Sequence, residues 1–129
     1  MSGKTRVGVL GLSHDHVWDN VRTLVERHDV ELVGAAEPRE ELRQKFLAEF
    51  EIDAVADHET LLDKDDLDAV YVFSSNAEGA SLAVSAAQRG LHVLVEKPMA
   101  ASLAQADAMM AAARQNNVRL MVNWPFAWW

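Results

Sequence analysis

The sequence predicts an α/β fold, a doubly wound parallel sheet with helices on both faces, in three layers. Three observations predict it. Short continuous aliphatic runs recur along the chain, at residues 5–10, 30–36, 69–73 and 91–95, and such runs suit strands buried on both faces. The segments between them repeat their apolar residues every three or four positions, as helices packed on one face do. Turn formers punctuate the joints, notably Gly11, Pro38, Gly90 and Pro98, dividing the chain into alternating β and α units.

Each element follows in order. The first strand, 5–10, runs into Gly11-Leu12-Ser13-His14-Asp15-His16, whose small and polar residues mark a turn. A helix is expected from 16 to about 27, with Val17, Val21, Leu24 and Val25 on its buried stripe. After the strand at 30–36, Pro38 suits the first turn of a second helix. There Leu42, Phe46 and Phe50 recur every four residues, and Glu40 and Glu41 complement the positive end of the dipole. A short strand is expected at 52–56 and a helical piece at 59–62. The strand at 69–73 closes on Ser74-Ser75-Asn76 and leads into an alanine-rich helix over 77–89, which Gly90 ends. Glu96-Lys97-Pro98 breaks the strand at 91–95, because proline cannot continue a ladder. Ser102 and Gln105 have the spacing of a capping box for a helix to about 115, and 118–122 reads as the last strand.

Composition bounds the rest. Half of the 129 residues are hydrophobic, enough for one core and hence one domain, taken as residues 1–123. The chain has no cysteine, so disulfides and thiolate metal sites are excluded, and a cytoplasmic location is expected. Its apolar runs are too short to span a bilayer, and its first residues lack a signal-peptide core, so no membrane partner is expected. The net charge of -8 argues against binding nucleic acid, which is driven by lysine and arginine on phosphates. Residues 124–129, Trp124-Pro125-Phe126-Ala127-Trp128-Trp129, hold three of the four tryptophans. Such a tail either folds back on the domain or opens a linker to a second, C-terminal α/β domain; the second is the expectation.

The candidate chemistry gathers at strand ends. In an open parallel sheet ligands bind beyond the carboxyl ends of the strands, where the strand order reverses, here between the strands at 5–10 and 69–73. Gly11 opens the first helix there, so the unpaired amides of the turn face any anion in the crevice, and a pyrophosphate fits. Only the first glycine of a Rossmann-type Gly-x-Gly-x-x-Gly is present: Ser13 and His16 stand at the second and third. Ser13 can offer a hydroxyl to a phosphate, while His14 and His16, with Leu12, line its end of the crevice. Glu37 lies 26 residues after Gly11 at the end of the second strand, where a carboxylate can bind both hydroxyls of an adenosine ribose. This favours NAD over NADP, whose 2′-phosphate would meet like charge there; Arg39 either partly offsets that repulsion or lies against the adenine. Alternatively, Glu37 is an acidic residue beginning the helix at Pro38. Ser74, Ser75 and Asn76, with Glu96, Lys97 and Pro98, complete a polar rim.

On these residues the chain resembles the N-terminal domain of the glucose–fructose oxidoreductase/inositol dehydrogenase/MocA family of NAD(P)-dependent dehydrogenases. The matching segments are Val7-Gly8-Val9-Leu10-Gly11, Ala35-Ala36-Glu37-Pro38, Leu67-Asp68-Ala69-Val70 and Gly90 through Ala100, with its Glu96-Lys97-Pro98. The resemblance implies hydride transfer between a nicotinamide and a hydroxyl carbon of a sugar, polyol or related substrate. It implies that Lys97 acts in substrate binding and proton transfer, that Glu96 helps position the cofactor region, and that the Lys97-Pro98 peptide is often cis. A lysine amine beside an oxidised nicotinamide suits proton exchange with an alcohol. The chain departs from the family pattern at Ser13, at His16, at Ser75-Asn76 where a Pro-Asn pair is usual, and at Gly79 where a histidine is often found. The family's catalytic Asp and His lie in a C-terminal domain that forms the substrate pocket and commonly the dimer surface. A homo-oligomer is therefore expected of the full-length form, and this chain alone is expected to be inactive.

Two other readings compete. His14-Asp15-His16 resembles the His-x-His of zinc hydrolases, but His28, His58 and His92 supply no further ligand pattern, so no metal is expected. Ser13 and Asp15 read more economically as helix N-caps. The fold is also compatible with a regulatory protein that senses a dinucleotide or sugar without turning it over.

Overall fold

The computed structural model describes residues 3–128. Six strands form one parallel sheet in the order β3-β2-β1-β4-β5-β6: β1 (Thr5–Leu10), β2 (Val30–Ala36), β3 (Ala54–Val55), β4 (Ala69–Val72), β5 (His92–Glu96) and β6 (Leu120–Asn123). The helices are α1 (His16–Val25), α2 (Glu40–Phe50), α3 (His58–Leu62), α4 (Asn76–Gln88) and α5 (Leu103–Gln115), with a final 3-10 turn, Pro125–Trp128. The strand order reverses between β1 and β4, as expected, so the ends of these strands open a crevice.

Two cores sandwich the sheet. Val7, Val9, Leu32 and Ala35 pack against Val17, Val21 and Leu24 of α1 and Phe46 of α2. Leu10, Val70, Val72, Val93 and Val95 pack against Leu61 of α3, Ala83 and Ala86 of α4 and Met109 of α5. Burying each of the larger side chains contributes roughly 1.5–3 kcal/mol. The small residues of α4 and α5 let these helices lie close together on the second face.

Helices cover both faces as expected, with the first face covered most closely over β1 and β2. Tyr71, Leu94 and Met121 stand side by side across β4, β5 and β6, and strand alternation turns them away from α4 and α5. Met121 is exposed, and Tyr71 and Leu94 are half-buried. Among the described residues a groove of about 1380 Å³ lies over this region, bounded by α1 on one side and by Trp124 and Phe126 on the other. Trp129 and the side chain of Trp128, part of the expected aromatic tail, lie outside the described residues.

Several boundaries differ from expectation for local reasons. Pro38 does not enter α2: the Glu37 carboxylate accepts from Arg39 N at 3.0 Å, and Arg39 is the extended N-cap (φ -82°, ψ 121°). Asp57 caps α3 by accepting from Thr60 N at 3.1 Å, so that helix begins at His58. β6 begins at Leu120 because Asn117 is left-handed (φ 52°) and Val118 N still bonds to Ala113 O at 3.0 Å, closing α5. β5 gains Glu96, which pairs in register with Asn123. Ser102 caps α5 as expected, its Oγ accepting from Gln105 N at 3.2 Å, while Gln105 Oε1 accepts from Ala101 N at 2.8 Å.

Candidate functional site

The crevice is built on Gly11. Its φ is 89°, in the region that favours glycine, and a Cβ there would lie 2.6 Å from both N and Cα of Ser74. Glycine thus lets the ends of β1 and β4 touch, with Gly11 N donating to Ala36 O at 2.8 Å and Phe73 N to Leu10 O at 2.7 Å. The turn that follows presents Ser13, exposed at the surface of the crevice.

Glu37 is buried to 3% relative exposure at the end of β2. Its Oε2 accepts from Leu12 N at 2.8 Å, and its Oε1 accepts from Arg39 N at 3.0 Å and Arg39 Nε at 3.1 Å. Burial pushes this carboxyl up, but the bonds from Leu12 and Arg39 outweigh it and hold it below the usual carboxylate range. The residue therefore braces the glycine turn and is not part of the helix that follows. Arg43 steadies the same loop, donating from Nη1 to the carbonyls of Glu37 at 2.8 Å and Pro38 at 2.7 Å. Glu37, Arg39, Gly11, Ser13, Ser74 and Ser75 surround a cavity of about 170 Å³. His58 also lines it, and its buried Nε2 has no hydrogen-bond partner. Sequence reasoning passed over His58 and Arg43; the position of His58 next to the β2–β3 edge was the available signal.

On the other side of Ser74 and Ser75, a narrow pocket brings together His14, Asn76, Glu96, Lys97 and Pro98. Ser75 is the N-cap of α4 by position, and its Oγ lies 3.4 Å from Glu78 Oε2. The Lys97-Pro98 peptide is cis. Lys97 lines both this pocket and the large groove. Glu96 is 5% exposed: its Oε1 accepts from Lys97 N at 3.0 Å and lies 3.3 Å from His16 Nδ1, and its Oε2 accepts from Asn123 Nδ2 at 3.0 Å. Asn123 was missed; aligning the last strand beside the Glu96 strand would have exposed it.

Asp15 stands at the N-cap of α1 but has helical angles and no side-chain capping bond, which corrects the reading of Ser13 and Asp15 as caps. His14 takes that role: its Nδ1 accepts from His16 N at 3.2 Å, and its carbonyl accepts from Val17 N at 3.0 Å. His14, His16 and Glu96 offer ligand atoms within 4.8 Å of one another, a third ligand that the sequence reading of His14-Asp15-His16 lacked. The hydrogen bonds set this cluster up differently. With Nδ1 of His14 accepting, its proton sits on Nε2, so a cation would have to displace that bond, and it would face the positive end of α1.

A glycine turn at the topological switch, an acidic brace at the end of β2 and a lysine at the end of β5 define a dinucleotide-binding domain. The chain belongs to the GFO/IDH/MocA family: residues 5–124 match its oxidoreductase domain with an NAD-binding Rossmann fold. It is 36% identical over 122 residues to dTDP-3,4-didehydro-2,6-dideoxy-alpha-D-glucose 3-reductase of Streptomyces antibioticus, covering 95% of this chain and 37% of that protein. It is 40% identical over 68 residues to scyllo-inositol 2-dehydrogenase (NADP(+)) of Bacillus subtilis, covering 53% of this chain and 21% of that protein. A 3-ketoreductase from Actinomadura kijaniata, solved in complex with TDP-benzene and NADP, superposes with a TM-score of 0.87 at 32% identity, covering 97% of this chain and 40% of that one. The chain thus spans well under half the length of these relatives. It is an NAD(P)-binding domain, and no helix among the described residues is long and apolar enough to cross a membrane.

Proposed function

We propose that this chain is the cofactor-binding part of a dehydrogenase or reductase acting at a hydroxyl or keto carbon of a sugar, polyol or related compound. The observation that carries it is Lys97, set at the end of β5 where the polar pocket beside Ser74, Ser75 and Asn76 meets the large groove. The residues fit a dinucleotide: Gly11, where a Cβ would meet the Ser74 backbone, lets β1 and β4 close together at the floor of the crevice, and the turn after it leads to the N-terminus of α1, the positive end of that helix. Glu37 presents a buried carboxylate to the adenosine end. The nicotinamide, when bound, supplies the hydride acceptor or donor. Lys97 binds the substrate oxygen and takes or gives its proton, while Glu96 holds the Lys97 backbone in place.

The shorter length of this chain relative to its relatives supports a second wall for the substrate, supplied by further sequence, across the groove that the Trp124 segment borders. Cofactor preference follows from Glu37: a 2′-phosphate would meet its charge, so NAD is favoured, although the Actinomadura kijaniata relative carries NADP and Arg39 stands beside the carboxylate. Calorimetry with NADH and NADPH, on this chain and on Glu37→Ala, tests the preference; equal affinities in the unaltered chain would remove it. In the whole protein, Lys97→Ala should lower turnover by about 10²-fold or more with cofactor affinity kept. Undiminished turnover would overturn the role of Lys97.

A further inference from the structure

Resting on that reading, we propose that His16 is a second proton-transfer group of the site, oriented by Glu96 and receiving the proton that Lys97 takes from the substrate hydroxyl. His16 occupies the third-glycine position of the turn, where a bulky ring has no part in bringing helix and strand together. Instead the ring reaches from the first residue of α1 to the end of β5, with Nδ1 3.3 Å from Glu96 Oε1. The carboxylate it meets is buried and already receives Lys97 N and Asn123 Nδ2.

The tautomer follows from these partners. Both oxygens of Glu96 already act as acceptors, Oε1 from Lys97 N and Oε2 from Asn123 Nδ2, so the His16 ring proton is assigned to Nδ1 and the lone pair to Nε2. A carboxylate behind one ring nitrogen, with the other left as a base, is the arrangement that fixes an imidazole for proton transfer. His14 holds the ring from the other side, with centroids 4.7 Å apart and planes tilted by 57°. His16 is 40% exposed at its side chain, and it lines the same groove as Lys97.

Among the described residues, no other titratable group lining the groove serves this purpose. Asp19, the next acidic residue of α1, is paired with Arg22 at 2.8 Å. Arg27 and Asp29 pair with each other at 2.6 Å. Burial pushes the Tyr71 phenol up, which keeps its proton in place near neutrality. On β6 the facing side chain is the neutral Asn123.

The step balances. In the oxidative direction the substrate carbon loses a hydride to the cofactor and is oxidised, while the hydroxyl O–H bond breaks and its proton joins the lone pair of the Lys97 nitrogen. That proton then passes to Nε2 of His16, Glu96 facing the resulting imidazolium, and leaves to solvent along the groove. Reduction runs the same path in reverse.

Two measurements test this. Long-range 1H–15N spectra of this chain, labelled in histidine, should show His16 in the Nδ1–H form, assigned by its loss in His16→Gln. Glu96→Gln should abolish that preference. In the whole enzyme, assayed with NAD(P)+ on scyllo-inositol and D-xylose and with NAD(P)H on 1,5-anhydro-D-fructose, His16→Gln should lower kcat by about 10-fold or more. It should also flatten the acid limb of the kcat–pH profile. An Nε2–H tautomer in the unaltered chain, or an unchanged kcat and pH profile in His16→Gln, would overturn the proposal. If NADH fails to bind, or Lys97→Ala keeps full turnover, the dehydrogenase reading itself falls and the proposal falls with it.

Discussion

Replacing Gly11 with alanine isolates what the crevice costs to build. At φ 89° an alanine occupies a region that disfavours L side chains by roughly 1–2 kcal/mol. Its methyl would also lie 2.6 Å from Ser74 N and Cα and 2.8 Å from Phe73 C. These are backbone atoms at the end of β4, so relief requires the ends of β1 and β4 to part, and overpacking of this kind costs typically about 1–3 kcal/mol. The two contributions together come to about 2–5 kcal/mol. Urea unfolding followed by circular dichroism, at an m-value of about 1.5 kcal/mol/M for a domain of this size, should therefore move the midpoint down by more than about 1 M. NADH affinity should fall as well, because the amides of the turn shift with it. A midpoint within about 0.3 M of the unaltered chain, with NADH binding intact, would refute the claim that this close approach shapes the site.

Ser102→Ala removes the side chain that accepts from Gln105 N and should cost about 1 kcal/mol by the same unfolding assay; a change below about 0.2 kcal/mol would show that α5 is held by packing alone. The carboxyl of Glu37 is held below its ordinary value in the fold, so its contribution is fully present above the ordinary carboxylate range and is lost as pH falls through the lowered folded value. Stability measured from pH 6 downward should accordingly fall more steeply below about pH 4.5 in the unaltered chain than in Glu37→Gln; parallel curves would show that the bonds from Leu12 and Arg39 do not favour the ionised form.

The legible parts of this fold are those that local composition decides. β1 and β2 lie at the expected residues because each is an aliphatic run bounded by turn formers, and Gly90 ends α4 with φ 78° because a left-handed residue is needed there. The strand ends carrying Glu37, Ser74 and Lys97 could be placed on one crevice because parallel strands all deliver their carboxyl ends to the same edge. Most of what escaped depends on distant partners. The contact of His16 with Glu96 joins residues 80 apart, and nothing near His16 in sequence announces a carboxylate. The cap of α1 was misread because the ring of His14 reached the His16 amide in place of the shorter Asp15 side chain. The groove beside Tyr71 was also out of reach, since each strand looks equally apolar whether or not a helix lies directly over it.

The brace made by Glu37 constrains how such a domain can change its diet of cofactors over evolutionary time. The oxygen that would read the ribose belongs to the same carboxylate that satisfies Leu12 N. A single exchange at position 37 to a small neutral residue would make room for a phosphate and at the same time strand that amide, at a cost of about 1–3 kcal/mol. A lineage moving from one dinucleotide to the other would then have to acquire a second acceptor for Leu12 N first. The expected historical order is a compensating change in the turn, followed by the loss of the acid.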